Sequence, residues 1–252
     1  MSGPAFPPSS RFPAGDYPFV LLHGLYHGGW CWRPVASLLR AAGAEVYTPT
    51  LTGFGERAHL LTSQVGYATH VEDVAAVLRF EGLENVILAG HSYGGSVANG
   101  VADTVPDQIA RIVYLDSTHF DVAQHEPQAH LLDAELIEVG DDAVSCHAVP
   151  AKATPWGITD PGDLAWLRPR LTPTPVRALL DPRGLSDPGL HGLPRTFVAS
   201  LLDENGAPLP ERPVWRRVRE NPAIDYRELR APHDAVITHP EAVAKLLLEL
   251  RG

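Results

Sequence analysis

A chain of 252 residues, 44% hydrophobic and 20% charged, can bury a sizeable core as one large domain or two small ones. Its formal charge of −10 opposes association with nucleic acid or an anionic membrane surface, and no basic patch with interleaved aromatics offsets it. No run approaches the roughly 20 apolar residues of a membrane span, and MSGPAFPPSSRFPAGDY lacks the basic start and apolar run of a signal peptide. A cytoplasmic protein is therefore expected, with Cys31 and Cys146 as buried thiols and no disulfide framework.

Residues 1–16 read as a flexible, Pro-rich arm. FVLLHG (19–24) is a short apolar run ending in glycine, as a buried parallel strand should be. PVASLLRAAG (34–43) starts with proline and ends in a capping glycine, which predicts a helix. EVYTPT (45–50) predicts the next strand, and THVEDVAAVLRFEG (69–82) a helix with its own terminal glycine. NVILAG (85–90), SVANGVADTV (96–105) and RIVYLD (111–116) continue the alternation as strand, helix and strand. It resumes with strands in RTFVASLL (195–202) and DYREL (225–229), and closes with the helix PEAVAKLLLELRG (240–252).

Strand–helix alternation of this kind predicts a mostly parallel, doubly wound α/β sheet. The alternation fails between roughly Ser117 and Pro194, where helical patterns are short (LLDAELIEV, DLAWLR). A structureless loop of that length does not fit a compact domain. The expected organisation is a core of 17–118 and 195–252 carrying an inserted cap, 119–194. Trp156 and Trp166 lie in that insertion, and Trp30 and Trp32 are expected to pack under the first helix.

Gly90-His91-Ser92-Tyr93-Gly94 fits G-x-S-x-G, directly after one strand and directly before a helix. A tight strand-to-helix turn lifts the Ser92 hydroxyl above the sheet edge, and its flanking positions must lack side chains. The following helix points its positive end at the place where an oxyanion forms. His23-Gly24-Leu25-Tyr26-His27-Gly28-Gly29-Trp30, after the first strand, is placed to supply the second oxyanion donor. The backbone N–H groups of Leu25 and Tyr93 are the expected pair, with Gly24 and Tyr26 against the substrate.

His233, after the last strand, is the expected general base; His239 more simply shapes the start of the last helix. The acid should end a strand between Ser92 and His233. Asp203 fits that place, with Glu204 reachable by a small register change. Asp116, ending RIVYLD, is the alternative, and Asp234 is discounted because it would have to fold back on its own neighbour. His23 and His27 have H-x-x-x-H spacing, but in a glycine turn, and no metal or other cofactor is expected.

LLHGLYHGGWCW, TPTLTGFGERAHL, GHSYGG and HDAVITHPEAVAKLL together resemble the α/β-hydrolase superfamily, specifically its small cofactor-free esterases: plant methylesterases, hydroxynitrile lyases and bacterial relatives. The resemblance is dense over 18–118, moderate over 195–250 and absent from the inserted segment. It implies a sheet of six or more strands, an acid on the loop holding Asp203, and frequent homodimers. Within that branch the cyanogenic lyases carry a threonine where this chain has Gly24 and a lysine where it has Asp234. Hydrolysis is therefore expected over cyanohydrin cleavage. Epoxide hydrolases and haloalkane dehalogenases need an aspartate where this chain has Ser92.

The expected function is hydrolysis of a small, mainly apolar carboxylic ester through an acyl-enzyme, with no nucleic-acid or membrane partner. Thioester, amide or cyclisation chemistry uses the same parts. A non-catalytic small-molecule binding protein is the contrasting reading, since fold alone does not prove function.

Overall fold

The computed structural model describes residues 17–117, 135–151 and 155–251. The expected arm, 1–16, lies outside them. Six strands form one sheet: β1 (Phe19–Leu22), β2 (Val46–Tyr47), β3 (Val86–His91), β4 (Ile109–Leu115), β8 (Arg195–Ser200) and β9 (Ile224–Leu229). Their order is β2-β1-β3-β4-β8-β9, and every pairing is parallel. The strand expected over 45–50 is only the two residues of β2.

Alternate residues of each strand enter separate cores on the two faces of the sheet. Val20, Leu22, Leu88, Ile112, Tyr114 and Phe197 pack with α2 (Tyr67–Glu81), α3 (Tyr93–Thr104) and α6 (Pro213–Glu220). Phe19, Leu21, Ile87, Ala89 and Val113 pack with α1 (Arg33–Ala41), α7 (Ala235–Thr238) and α8 (Pro240–Glu249). Coverage of both faces is why β1 and β3 are buried at every position and read as unbroken apolar runs. Each such side chain contributes roughly 1.5–3 kcal/mol on burial. The helix α6 falls outside the elements expected from the sequence; its Val214, Trp215 and Val218 face the core between exposed arginines.

Between β4 and β8 the expectation for LLDAELIEV is overturned in part. Leu136–Val139 is a strand, β5, paired antiparallel with β6 (Val144–His147), which in turn pairs with β7 (Thr174–Pro175). The alternation of exposed and half-buried residues in LIEV is a period-two signal that the neighbouring leucines obscure. DLAWLR does lie on a helix, α4 (Pro161–Leu167), and α5 (Arg177–Leu180) follows. This segment packs onto the turn after β1: Tyr26 N–H donates to Thr174 Oγ1 at 3.2 Å and Thr172 N–H to the Tyr26 carbonyl at 2.9 Å. Trp32 is fully buried, and Trp30 packs against the same core while meeting Trp166 edge-on. Cys31 and Cys146 are free and buried. Among the described residues no helix is long and apolar enough to cross a membrane.

The C-terminal end of β3 is a tight junction. A Cβ on Gly94 would lie 2.5 Å from the Leu22 carbonyl oxygen and 2.8 Å from that of His23, both of them backbone atoms of the neighbouring chain segment. Gly94→Ala is expected to destabilise the fold by about 1–3 kcal/mol. Gly43, at φ +79°, has nothing within 4 Å of the place a Cβ would take, and Gly43→Ala should cost only about 1 kcal/mol of backbone strain. Thermal denaturation of both variants checks this, and a Gly94→Ala melting curve matching wild type would contradict the crowding.

Candidate active site

Four strands of the parallel sheet end at one place, as the C-terminal edge of such a sheet favours. The turn after β1 brings Gly24, Leu25, Tyr26 and His27, and the end of β3 brings His91 and Ser92. The loop after β9 brings His233 and Asp234, and with Trp156 these residues line a cavity of about 180 Å³. Asp116 follows β4 directly and reaches His233 from behind.

Ser92 has φ 51° and ψ −120°, a conformation outside the regions open to L-residues without strain. The strain is imposed by β3 and α3 meeting without a linking loop. Ser92 N–H donates to the Leu115 carbonyl at 3.0 Å and its own carbonyl accepts from Gly95 N–H at 3.0 Å. Tyr93 is the first residue of α3, and first-turn N–H groups have no partner inside their helix. Its phenol is buried and donates to His70 Nδ1 at 2.7 Å, while His70 Nε2 donates to the Thr52 carbonyl at 3.0 Å. Burial lowers the His70 pKa to about 4 against the opposing Thr52 bond and Asp73 charge, so it stays neutral in this chain of bonds.

The turn after β1 is held in a similar way. His23 Nε2 accepts from Leu51 N–H at 3.1 Å, which leaves Nδ1–H to donate to the Gly24 carbonyl at 2.7 Å. Burial drives the His23 pKa down to about 3 and keeps it in this neutral form. Because a peptide unit is planar and trans, fixing the Gly24 carbonyl also fixes the opposed Leu25 N–H. A Cβ on Gly24 would lie 3.0 Å from Ser92 Cβ, so the turn approaches the serine as closely as glycine allows.

His233 does not pair with Asp203. Its Nδ1 donates to Asp116 Oδ2 at 2.6 Å, and Asp116 Oδ1 lies 3.7 Å from Arg212 Nη1. Asp203 instead closes its own turn: its Oδ1 accepts from Asn205 N–H and Ala207 N–H, each at 2.8 Å. The structure thus pairs His233 with Asp116, the alternative, and leaves Asp203 bonded within its own turn. Asp116 has φ 45°, a left-handed conformation that Asp tolerates better than most residues. It is 5% exposed; burial opposes its charge, but the His233 hydrogen bond and charge and the Arg212 charge hold its carboxyl below the usual range. Burial likewise opposes protonation of His233, yet the Asp116 bond and charge, followed by the Asp234 charge, raise its pKa above the ordinary value.

Gly24, Leu25, Tyr26, Ser92 and His233 thus gather at one cavity, with Tyr93 next to Ser92 in sequence. His27, His91, Asp234 and Trp156 join them from outside the expected set. Tyr26 stacks on Trp156 with centroids 5.7 Å apart, which makes one wall aromatic. Asp234, discounted as an acid for His233, lies with its carboxylate against His27 and His91, at 3.3 and 3.6 Å. Glu204 has no bond to the cavity among the described residues, and the His239 ring bonds Thr238 Oγ1, 2.8 Å away. His91, His233 and Asp234 offer ligand atoms within 4.8 Å of one another, but His91 Nε2 already donates to the His233 carbonyl at 3.0 Å and His233 Nδ1 to Asp116.

A parallel sheet wound on both faces, with a serine on a strained turn after its third strand in chain order, defines the class. The chain belongs to the Alpha/beta hydrolase family, whose match runs over residues 19–246. It is 54% identical over 99 residues to a carbendazim hydrolyzing esterase of Nocardioides sp. (strain SG-4G), a match spanning 39% of this chain and only 41% of that protein. It is 27% identical over 259 residues to methylesterase 4 of Arabidopsis thaliana, covering 92% of this chain and 95% of that one. Polyneuridine aldehyde esterase shares the fold, with a TM-score of 0.76 at 20% identity over 94% of this chain and 100% of that chain.

Asp116→Asn removes the charge that helps raise His233. Following the imidazole of His233 by NMR across a pH titration is expected to show its pKa falling in this variant. An unchanged His233 titration would contradict the pairing.

Proposed function

We propose that this chain is a serine hydrolase that cleaves carboxylic esters of small, mainly apolar molecules through an acyl-enzyme. The observation that carries the reading is the 2.6 Å bond from His233 to a buried Asp116, in a cavity wall shared with the strained Ser92. That arrangement suits a general base whose tautomer is fixed, with Nε2 left to serve the serine. The names of its relatives, a carbendazim hydrolyzing esterase and methylesterase 4, support ester substrates.

In this reading Ser92 Oγ attacks the acyl carbonyl while His233 Nε2 takes its proton. The carbonyl oxygen becomes an oxyanion held by the N–H groups of Leu25 and Tyr93, whose peptides His23 and α3 orient in advance. His233 returns the proton to the departing alkoxy oxygen, so the C–O bond breaks and alcohol leaves. Water, deprotonated by His233, attacks the acyl-enzyme; the acid is released and Ser92 regains its proton. No cofactor enters any step. The role of Asp116 is to hold the imidazole and stabilise the imidazolium, which fits its low-lying carboxyl and deep burial. A cavity of about 180 Å³ walled by Tyr26, Trp156 and Leu25 favours short apolar acyl or alcohol groups.

A fluorophosphonate is expected to label Ser92 stoichiometrically, with labelling lost in Ser92→Ala and slowed at least about a thousandfold in His233→Ala. No labelling of wild type, or equal labelling of Ser92→Ala, would overturn the reading. The pH profile carries a sign as well. The base works only when neutral, and its pKa is raised. With p-nitrophenyl butyrate, kcat/KM should therefore fall as pH drops through a midpoint above the ordinary histidine value of about 6.5.

A further inference from the structure

Asp234 is a buried carboxylate that no step of the reaction uses. Its side chain is 1% exposed, and a carboxylate so placed is costly unless donors surround it. Three segments of the site meet there. His27 Nδ1 donates to the Leu25 carbonyl at 2.7 Å, and the opposite nitrogen of the same ring, Nε2, lies 3.3 Å from Asp234 Oδ2, an ion-pair contact that holds when the ring carries a proton on both nitrogens. His91 Nε2 lies 3.6 Å from Asp234 Oδ1 and donates to the His233 carbonyl at 3.0 Å. Asp234 N–H donates to the Trp156 carbonyl at 3.2 Å, which ties the aromatic wall to the same residue.

We infer that Asp234 is a positioning residue which, through His27, fixes the backbone of Leu25 from the side opposite His23, and through His91 locks the serine turn to the loop of His233. The peptide before Leu25 is held by His23 at the Gly24 carbonyl, and the peptide after it by His27 at the Leu25 carbonyl. Leu25 therefore has no freedom to rotate its N–H away from the oxyanion. The consecutive residues His233 and Asp234 divide the work. His233 receives a carboxylate, Asp116, from β4, and Asp234 gives one to a histidine from the turn after β1. His27 is itself packed between Trp30, stacked at 5.5 Å, and Trp156, edge-on at 5.1 Å, so its ring transmits a change at Asp234 rather than absorbing it.

The inference rests on the esterase reading, and a four-protein cycle separates the two: wild type, Asp234→Asn, His27→Gln and the double variant, with Ser92→Ala as blank. With p-nitrophenyl butyrate, Asp234→Asn is expected to lower kcat about 10- to 100-fold with KM within about threefold, as loss of transition-state positioning requires. His27→Gln should do the same, and the double variant should be no worse than about threefold below the poorer single one. A kcat equal to wild type in Asp234→Asn, or independent multiplying losses, would overturn the relay while leaving the esterase reading intact. If Asp234→Asn does not fold, His27→Gln alone carries the kcat expectation. Absence of hydrolysis by wild type would instead strike the esterase reading. The melting temperatures of the same four proteins then decide the relay, non-additive losses supporting it and additive ones overturning it.

Discussion

The site depends on the hydrogen bond between His233 and Asp116, because it joins the end of β4 to the loop after β9 across the strand that lies between them. Asp116 can reach His233 only from a left-handed backbone position at the tip of β4, and that position is anchored by its N–H on the Val198 carbonyl of β8 at 2.9 Å. The bond also sets the electrostatics of the pair, holding the carboxylate charged and the imidazole basic despite burial. A charge-assisted bond of this kind is worth roughly twice a neutral one. Backbone strain at Ser92 and Asp116, on the order of 1–3 kcal/mol each, is therefore borne by the two parallel strands whose ends they occupy.

Around that pair two neutral histidines fix turns of the site. His23 and His70 are each buried, each held well below the ordinary histidine value, and each bonded at both ring nitrogens. A neutral imidazole has one donor and one acceptor, so it can link two backbone or phenol groups without a buried charge. His23 uses this to aim the turn after β1, and His70 to hold Tyr93 at the start of α3. The charged groups, Asp116 and Asp234, are confined to the two places where a histidine faces them.

Much of this is legible in the chain. The unbroken apolar runs of β1 and β3 announce strands covered on both faces, and the glycines at 90 and 94 announce a junction with no room for side chains. Ser92, His233, Gly24, Leu25 and Tyr26 follow from those two turns and the loop after the last strand. The acid is harder to read, because Asp116 and Asp203 both follow strands. What separates them is that Asp203 precedes a turn whose Asn205 and Ala207 N–H groups take its carboxylate, while Asp116 sits directly at a strand end with its carboxylate free to reach across the sheet. A turn-forming sequence after an aspartate is a signal that the side chain is already engaged. His27, His91 and Asp234 cannot be read as a cluster at all, since the contacts that unite them run from the turn after β1 and the end of β3 to the loop after β9.

The most direct test compares the two carboxylates in turnover. Steady-state hydrolysis of p-nitrophenyl butyrate by Asp116→Ala should lose about a thousandfold or more in kcat/KM. Asp203→Ala should stay within a few-fold of wild type, with a melting temperature reporting whatever its turn contributes to stability. Loss of activity in Asp203→Ala with Asp116→Ala still active would contradict the assignment of the pair.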